Sequence, residues 1–247
     1  MALFEARDLH MRFGHRVVLE DISLAVEEGE LAGIMGPNGA GKTTCFNVLT
    51  GRYRPTRGSV RFAGEDITGQ APHVIARKGV ARSFQLMNLF NDFTARENVA
   101  IALPAMRARG FDMARDAAAD PALRDAAGLV LDRVGLGGKG ETVAKSLSYG
   151  DRRALEIGVA LAAAPRVLFL DEPTSGLGAE ATQRLAELVR GLKGSVTMVI
   201  IEHDMAFLFG LADKVSVIHW GQVIARGTPA ELRANPWVQA SNLGKLA

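Results

Sequence analysis

Gly36-Pro37-Asn38-Gly39-Ala40-Gly41-Lys42-Thr43-Thr44 decides how this chain is read. It follows an apolar run, Leu31 to Met35, and leads into a helical pattern from Thr43 to Leu49. A strand running into a glycine-rich turn and then a helix is the setting in which G-x-x-x-x-G-K-[ST] acts as a phosphate-binding loop. Backbone N–H groups of Gly36, Asn38, Gly39, Ala40, Gly41 and Thr44 point inward at an anion there, and the helix start adds its positive dipole end. In such a loop Lys42 reaches the β- and γ-phosphates, and the Thr43 hydroxyl ligates the Mg²⁺ that bridges them. The first expectation is therefore a nucleotide triphosphate held by an α/β protein.

Two further strands extend that reading. Val167 to Leu170 is a continuous apolar run, as a strand buried on both faces of a parallel sheet requires, and it ends in Asp171-Glu172. Ligands of open α/β sheets bind at the carboxyl ends of strands. Successive strand side chains point to opposite sides, so the pair divides into two roles. Asp171 is expected to hold the metal, directly or through water, and Glu172 to face an attacking water. Val196 to Ile201 reads as a second buried strand, ending in Glu202-His203-Asp204. Its histidine either reaches a γ-phosphate or is an ordinary polar residue at a strand end; His10, His15, His73 and His219 are given no role.

Around these elements the pattern is a small antiparallel sheet over residues 3 to 27, with Ile22, Leu24 and Val26 alternating with polar or small neighbours. Phe13, before the Gly14-His15 turn, either stacks on a base or packs in the core. Further expectations are a strand from Ser59 to Ala63, a short helix from His73 to Lys78 and a strand from Gly79 to Phe84. The loop from Gln85 to Phe93 is rich in large apolar side chains, which either meet a partner or pack inside. From Thr94 to about Ala164 the composition turns helical, with an Ala-, Arg- and Asp-rich excursion at 105–128. Leu147-Ser148-Tyr149-Gly150-Asp151 opens the last helix of that segment, with Ser148 as its N-cap and a potential anion site there. Ala179 to Leu192 reads as an amphipathic helix with Leu185, Leu188 and Leu192 on one face. A terminal hairpin across Gly221 and a short helix from Ala230 to Ala234 complete the chain.

The bulk numbers set limits. The chain has 247 residues, 48% of them hydrophobic and 23% charged, as in an ordinary globular protein, and a net charge of +2 gives no nucleic-acid footprint. One cysteine, Cys45, forms no internal disulfide, and the charged N-terminal residues do not read as a signal peptide, so a cytoplasmic location is expected. No run approaches the roughly 18 to 20 apolar residues that cross a bilayer.

With the phosphate loop, Gln85, Leu147 to Asp151, Asp171-Glu172 and His203 in this order, the chain resembles the ATP-binding subunit of ABC transporters over its whole length. Gly51, Ala81-Arg82-Ser83-Phe84-Gln85 and Ile201-Glu202-His203-Asp204-Met205 narrow the resemblance to branched-chain amino acid importers of the LivG type; lipopolysaccharide export and urea import systems share several of these features. The resemblance implies a phosphate-loop (RecA-like) core with an N-terminal antiparallel β subdomain and an inserted helical subdomain. It divides one ABC ATPase domain, 1–247, into a core at 1–93 and 165–247 and a helical signature segment at 94–164. It implies ATP hydrolysis with Mg²⁺ held by Thr43, Gln85 and Asp171, adenine stacked on Phe13, Glu172 as general base and His203 as γ-phosphate switch. It further implies a head-to-tail dimer, homo- or heteromeric, in which Ser148 and Gly150 close on the ATP of the other subunit. Beyond that lie membrane permease subunits met by the loop from Gln85 to Phe93, an extracytoplasmic substrate-binding protein, and a place on the inner face of the plasma membrane. A soluble ABC-type ATPase acting on nucleic acid fits less well, since the chain has one cassette and no excess charge. The chain departs from the pattern at Gly178, where many members carry an aspartate that couples the two sites, at Asp151-Arg152, where a glutamine is common, and at Tyr149, which replaces a glycine.

Overall fold

Two sheets organise the chain, and the sequence assigns its strands to them by how many faces each strand buries. The computed structural model describes residues 2–83, 88–108 and 120–240. β1 (Phe4–Phe13) and β2 (Arg16–Val26) pair antiparallel across the Gly14 turn. Their inward residues, Phe4, Ala6, Leu9, Leu19, Ile22 and Val26, are buried while the intervening residues are largely exposed. The alternation slips near Asp8, where the register shifts and the backbone takes φ 47, the signature of a bulge. After β3 (Leu31–Met35) and α1 (Lys42–Leu49), β4 (Arg57–Phe62) and β5 (Glu65–Asp66) join β1, giving the order β2-β1-β4-β5.

The second sheet takes β3, then β6 (Val80–Arg82), β7 (Val167–Asp171), β8 (Thr197–Ile201), β9 (Lys214–His219) and β10 (Gln222–Gly227), in the order β10-β9-β3-β8-β7-β6. All pairings are parallel except the edge hairpin β9–β10. β7 and β8 are buried along their whole length and largely apolar because both faces are covered. Leu168, Leu170, Met198 and Ile200 enter one core cluster, and Val167, Phe169, Val199 and Ile201 enter the other. Phe169 sets its ring edge-on against Phe4 and Phe46, at centroid distances of 5.0 and 5.6 Å, so β7, β1 and α1 share one core.

The first cluster is roofed by helices that begin where a cap residue satisfies the open N–H groups. Following α2 (Pro72–Arg77), Thr94 and Glu97 form a capping box at the start of α3 (Ala95–Ala102), which α4 (Pro104–Ala108) follows. Asp120 accepts from Ala122 and Leu123 N–H to start α5 (Pro121–Arg133), and Ser148 caps α6 (Tyr149–Ala162). α7 (Ala179–Leu192), α8 (Met205–Phe209), α9 (Pro229–Ala234) and α10 (Pro236–Ala240) complete the described helices.

Several expectations are corrected. The strand expected to reach Phe84 ends at Arg82, with Phe84 itself outside the described residues. On α7 the buried stripe is Leu185, Val189 and Leu192, with Leu188 only partly buried, because a spacing of four then three follows the helical period on this face. The helical segment also holds one antiparallel bridge, Thr94 to Val143, which ties α3 to the turn before α6. Of the 105–128 excursion, residues 109–119 lie outside the described part. No described helix is long and apolar enough to cross a membrane.

Candidate functional site

β3, β7 and β8 run parallel and side by side, so Gly36, Glu172 and Glu202, each the residue after its strand, emerge at one edge of the sheet. The phosphate loop is shaped by close approach. A Cβ on Gly36 would lie 2.1 Å from the Ile218 carbonyl oxygen, and Gly41 takes φ 101 with Val18 O and Leu19 2.9 Å from where its Cβ would be. Gly221 N–H donates to Ala40 O at 3.0 Å while Gly221 O accepts from Glu20 N–H at 2.8 Å, so the β9–β10 turn clamps the loop to β2. Asn38 and Gly39 form the exposed tip, Ala40 and Lys42 are buried, and Thr43 faces outward with Thr44 half-buried behind it.

Lys42 Nζ donates to Gly36 O at 2.7 Å and Pro37 O at 3.0 Å, which holds its ammonium inside the turn. Burial pulls its pKa down, and the fields of Glu172, Glu202 and Asp171 oppose that shift. Those opposing fields bring the loop and both strand ends into one electrostatic unit. Asp171 is 3% exposed, and burial raises its pKa against the pull of Arg82, whose guanidinium lies 3.5 Å away. Arg82 donates to Asn47 Oδ1 at 2.8 Å and Thr50 Oγ1 at 3.0 Å and lies over the Phe46 ring, so it fastens the end of α1 beside Asp171. Glu172 takes φ 44, a left-handed turn just past the end of β7, and its carboxylate lies 3.9 Å from His203 Nδ1. Glu202, with no exposed surface, accepts from Thr174 through Oε1 and from the His203 and Asp204 N–H groups through Oε2.

Phe13 is 46% exposed and sets its ring edge-on to Tyr53 at 5.3 Å, so it is not a core residue. Ser148 and Gly150 stand apart from this network. Ser148 Oγ accepts the Asp151 N–H at 3.1 Å and donates to Asp151 Oδ2 at 2.7 Å, and Gly150 lies against Ala181 of α7. Gln85 lies outside the described residues. Of the apolar loop, Phe90 and Phe93 are exposed and stacked 5.2 Å apart. Thr43, Asn47, Arg82, Asn88 and Asp171 line a cleft of about 910 Å³ that runs from the strand ends toward α3 and α6.

Arg82, Glu202 and Tyr53 carry parts of the site that motif reasoning did not assign. Glu202 had a signal, a carboxylate immediately after an apolar strand, the same cue that singled out Glu172. Arg82 and Tyr53 had none, because their roles arise only when α1, β6 and β1 meet.

A glycine-rich loop between the central strand and α1, with acidic strand ends beside it, defines a phosphate-loop nucleotide-binding protein. The comparisons narrow this. Residues 19–175 match the family model described as ABC transporter. The chain is 38% identical to the high-affinity branched-chain amino acid transport ATP-binding protein LivG of Salmonella typhimurium, covering 98% of both. It is 40% identical to BraF of Pseudomonas aeruginosa, of the same description, again covering 98% of both. The crystal structure of the ADP conformation of MJ1267, an ATP-binding cassette of an ABC transporter, matches with a TM-score of 0.87 and 27% identity over 99% of this chain and 100% of that one. The chain belongs to the ABC transporter family, as one of its ATP-binding, ATP-hydrolysing subunits.

Proposed function

We propose that this subunit powers import of branched-chain or related amino acids through a membrane permease, with ATP binding closing a head-to-tail pair of subunits and hydrolysis reopening it. The observation that carries the chemistry is that the loop holding Lys42 follows β3 and Asp171-Glu172 ends β7, both at the same edge of one parallel sheet. The identity to LivG and BraF over nearly the full chain supports the substrate class.

In this reading the loop amides and Lys42 bind the phosphates, and Phe13 stacks on the adenine. Thr43 and Asp171 offer a hydroxyl and a carboxylate to one cleft, hard oxygen donors that fit Mg²⁺, and Gln85 would join them. The cation, when bound, neutralises charge on the phosphates. Glu172 orients and deprotonates water, and His203, beside it, contacts the γ-phosphate. Ser148 and Gly150 of a second subunit complete the site. Phe90 and Phe93 face the permease, which keeps the subunit on the inner face of the plasma membrane, and an extracytoplasmic binding protein delivers the substrate. Residues 94–164 act as the helical subdomain that carries Ser148.

Uptake of labelled leucine, isoleucine and valine by cells bearing the wild-type chain or Glu172→Gln tests this. Loss of uptake in the variant is expected; uptake as high in cells without the chain as in cells with it would refute the role in transport.

A further inference from the structure

Lys139 belongs to none of the motifs above; it closes a 3₁₀ turn, Gly137–Lys139, between α5 and α6. Its Nζ lies 2.7 Å from Asp151 Oδ2, the oxygen that also accepts the Ser148 hydroxyl at 2.7 Å. Ser148 Oγ in turn accepts the Asp151 N–H. One carboxylate oxygen therefore sets both where the lysine sits and where the serine proton points.

That arrangement has a cost for the role given to Ser148. A polyphosphate approaching the first turn of α6 meets a carboxylate already there, and two anions at one helix start repel. The carboxylate also takes the hydroxyl proton that a phosphate oxygen would accept. A neutral side chain at position 151 would raise neither difficulty. Lys139 offsets both, since it cancels the charge at hydrogen-bonding distance and supplies a competing donor that lets Ser148 turn outward. Burial alone would lift the Asp151 carboxyl, yet the hydrogen bonds from Lys139 and Ser148, with the fields of Lys139 and Arg184, hold its pKa below the ordinary range. The side chain of Lys139 is 48% exposed, so its removal leaves no cavity.

We propose that Lys139 is a positioning residue for ATP, neutralising Asp151 so that Ser148 and the first turn of α6 can receive the polyphosphate held by the second subunit. The proposal rests on the reading of Ser148 above.

Steady-state ATP hydrolysis by the full chain tests it. Lys139→Ala should raise KM for ATP about five- to tenfold, with a smaller effect on kcat, and Lys139→Arg should stay close to wild type. Adding Asp151→Asn to Lys139→Ala should bring KM back to within about twofold of wild type, because the uncompensated charge is then gone. A purely structural lysine would not be rescued by removing its partner's charge. An unchanged KM in Lys139→Ala, or a double variant no better than the single, overturns the proposal. Ser148→Ala separates the two levels. If it raises KM while Lys139→Ala does not, the role of Lys139 alone falls; if it leaves the kinetics at wild type, the reading of Ser148 falls and takes this proposal with it.

Discussion

Glu202 and Thr174 are bonded twice, since Glu202 Oε1 accepts both the Thr174 N–H, at 2.9 Å, and the Thr174 hydroxyl. With Oε2 taking the His203 and Asp204 N–H groups, one buried carboxylate ties the end of β8 to the turn after β7. Glu172 lies two residues before Thr174 and His203 N–H is itself a donor to Glu202, so this carboxylate helps hold the two side chains' separation, together with the Glu172 N–H bond to Ile201 O. Replacing it with alanine leaves buried donors without acceptors, at a cost on the order of 3 kcal/mol. Urea denaturation of Glu202→Ala should show that loss together with a fall in ATP turnover, and native stability with native turnover would show that the spacing has another source.

Glu172 is the proposed base. Glu172→Gln keeps the shape and hydrogen-bonding reach but removes the proton acceptor, so turnover should fall about a hundredfold or more. Nucleotide binding should persist, and light scattering with ATP should find a lasting dimer. Wild-type phosphate release would remove Glu172 from the mechanism.

Lys42 holds its ammonium against the Gly36 and Pro37 carbonyls, and in the proposed role that charge binds the triphosphate. Lys42→Ala should weaken ATP binding about a hundredfold, measured by fluorescent nucleotide titration. Binding at wild-type strength would mean that the loop amides suffice.

Asp171 gives a pH signature. Its folded pKa is raised above the ordinary 3.8 by burial. A carboxyl that holds its proton more tightly when folded stabilises the chain below the unfolded pKa, and that contribution is lost as pH rises through the folded value. At neutral pH the charged Asp171 therefore costs stability, which a bound cation would return. Asp171→Asn should raise the neutral-pH stability of the nucleotide-free protein, flatten its stability profile above pH 4, and abolish Mg²⁺-dependent hydrolysis. A destabilised, fully active variant would contradict both halves.

Gly178 caps α7 with no side-chain hydrogen bond, at φ −78 and ψ 168, and a Cβ there meets nothing within 4 Å. Aspartate fits that backbone and can accept from the open N–H groups of the first turn. Gly178→Asp should stabilise the fold by a few tenths of a kcal/mol, seen as a small rise in Tm. A drop would indicate that the site disfavours charge.

What the sequence made legible was whatever depends on local chain chemistry. The apolar runs at Val167–Leu170 and Val196–Ile201 placed the buried strands within a residue or two, and the loop at Gly36–Thr44 placed the central strand before it and α1 after it. Ser148 was found as a cap because its position before the helix is its mechanism. What escaped was set by contacts distant in sequence. Arg82 reaches Asp171 and Asn47 from a short strand whose pattern says nothing of either. That Val189 is buried on α7 and Leu188 only partly so depends on how the helix rolls against its neighbours, which a repeat of leucines does not specify. The position of Phe13 before a turn is compatible with both core and stacking, and only the contact of β1 with Tyr53 sets it at the surface.

The strand order of the larger sheet also bears on how the protein is made. β3 lies between β8 and β9, with Leu31 aligned to Met198 and Ala32 to Lys214. On the ribosome, β3 and the loop that follows it emerge and then wait for both neighbours, roughly 10 to 40 s at ordinary elongation rates. The strands β1, β2, β4 and β5 all lie between Phe4 and Asp66 and can assemble first. If the antiparallel sheet forms first, β3 stands beside it as an unpaired apolar strand, the kind of edge that invites aggregation. The clamp on the phosphate loop is complete only once the chain has been made past Gly221, whose turn closes on Ala40.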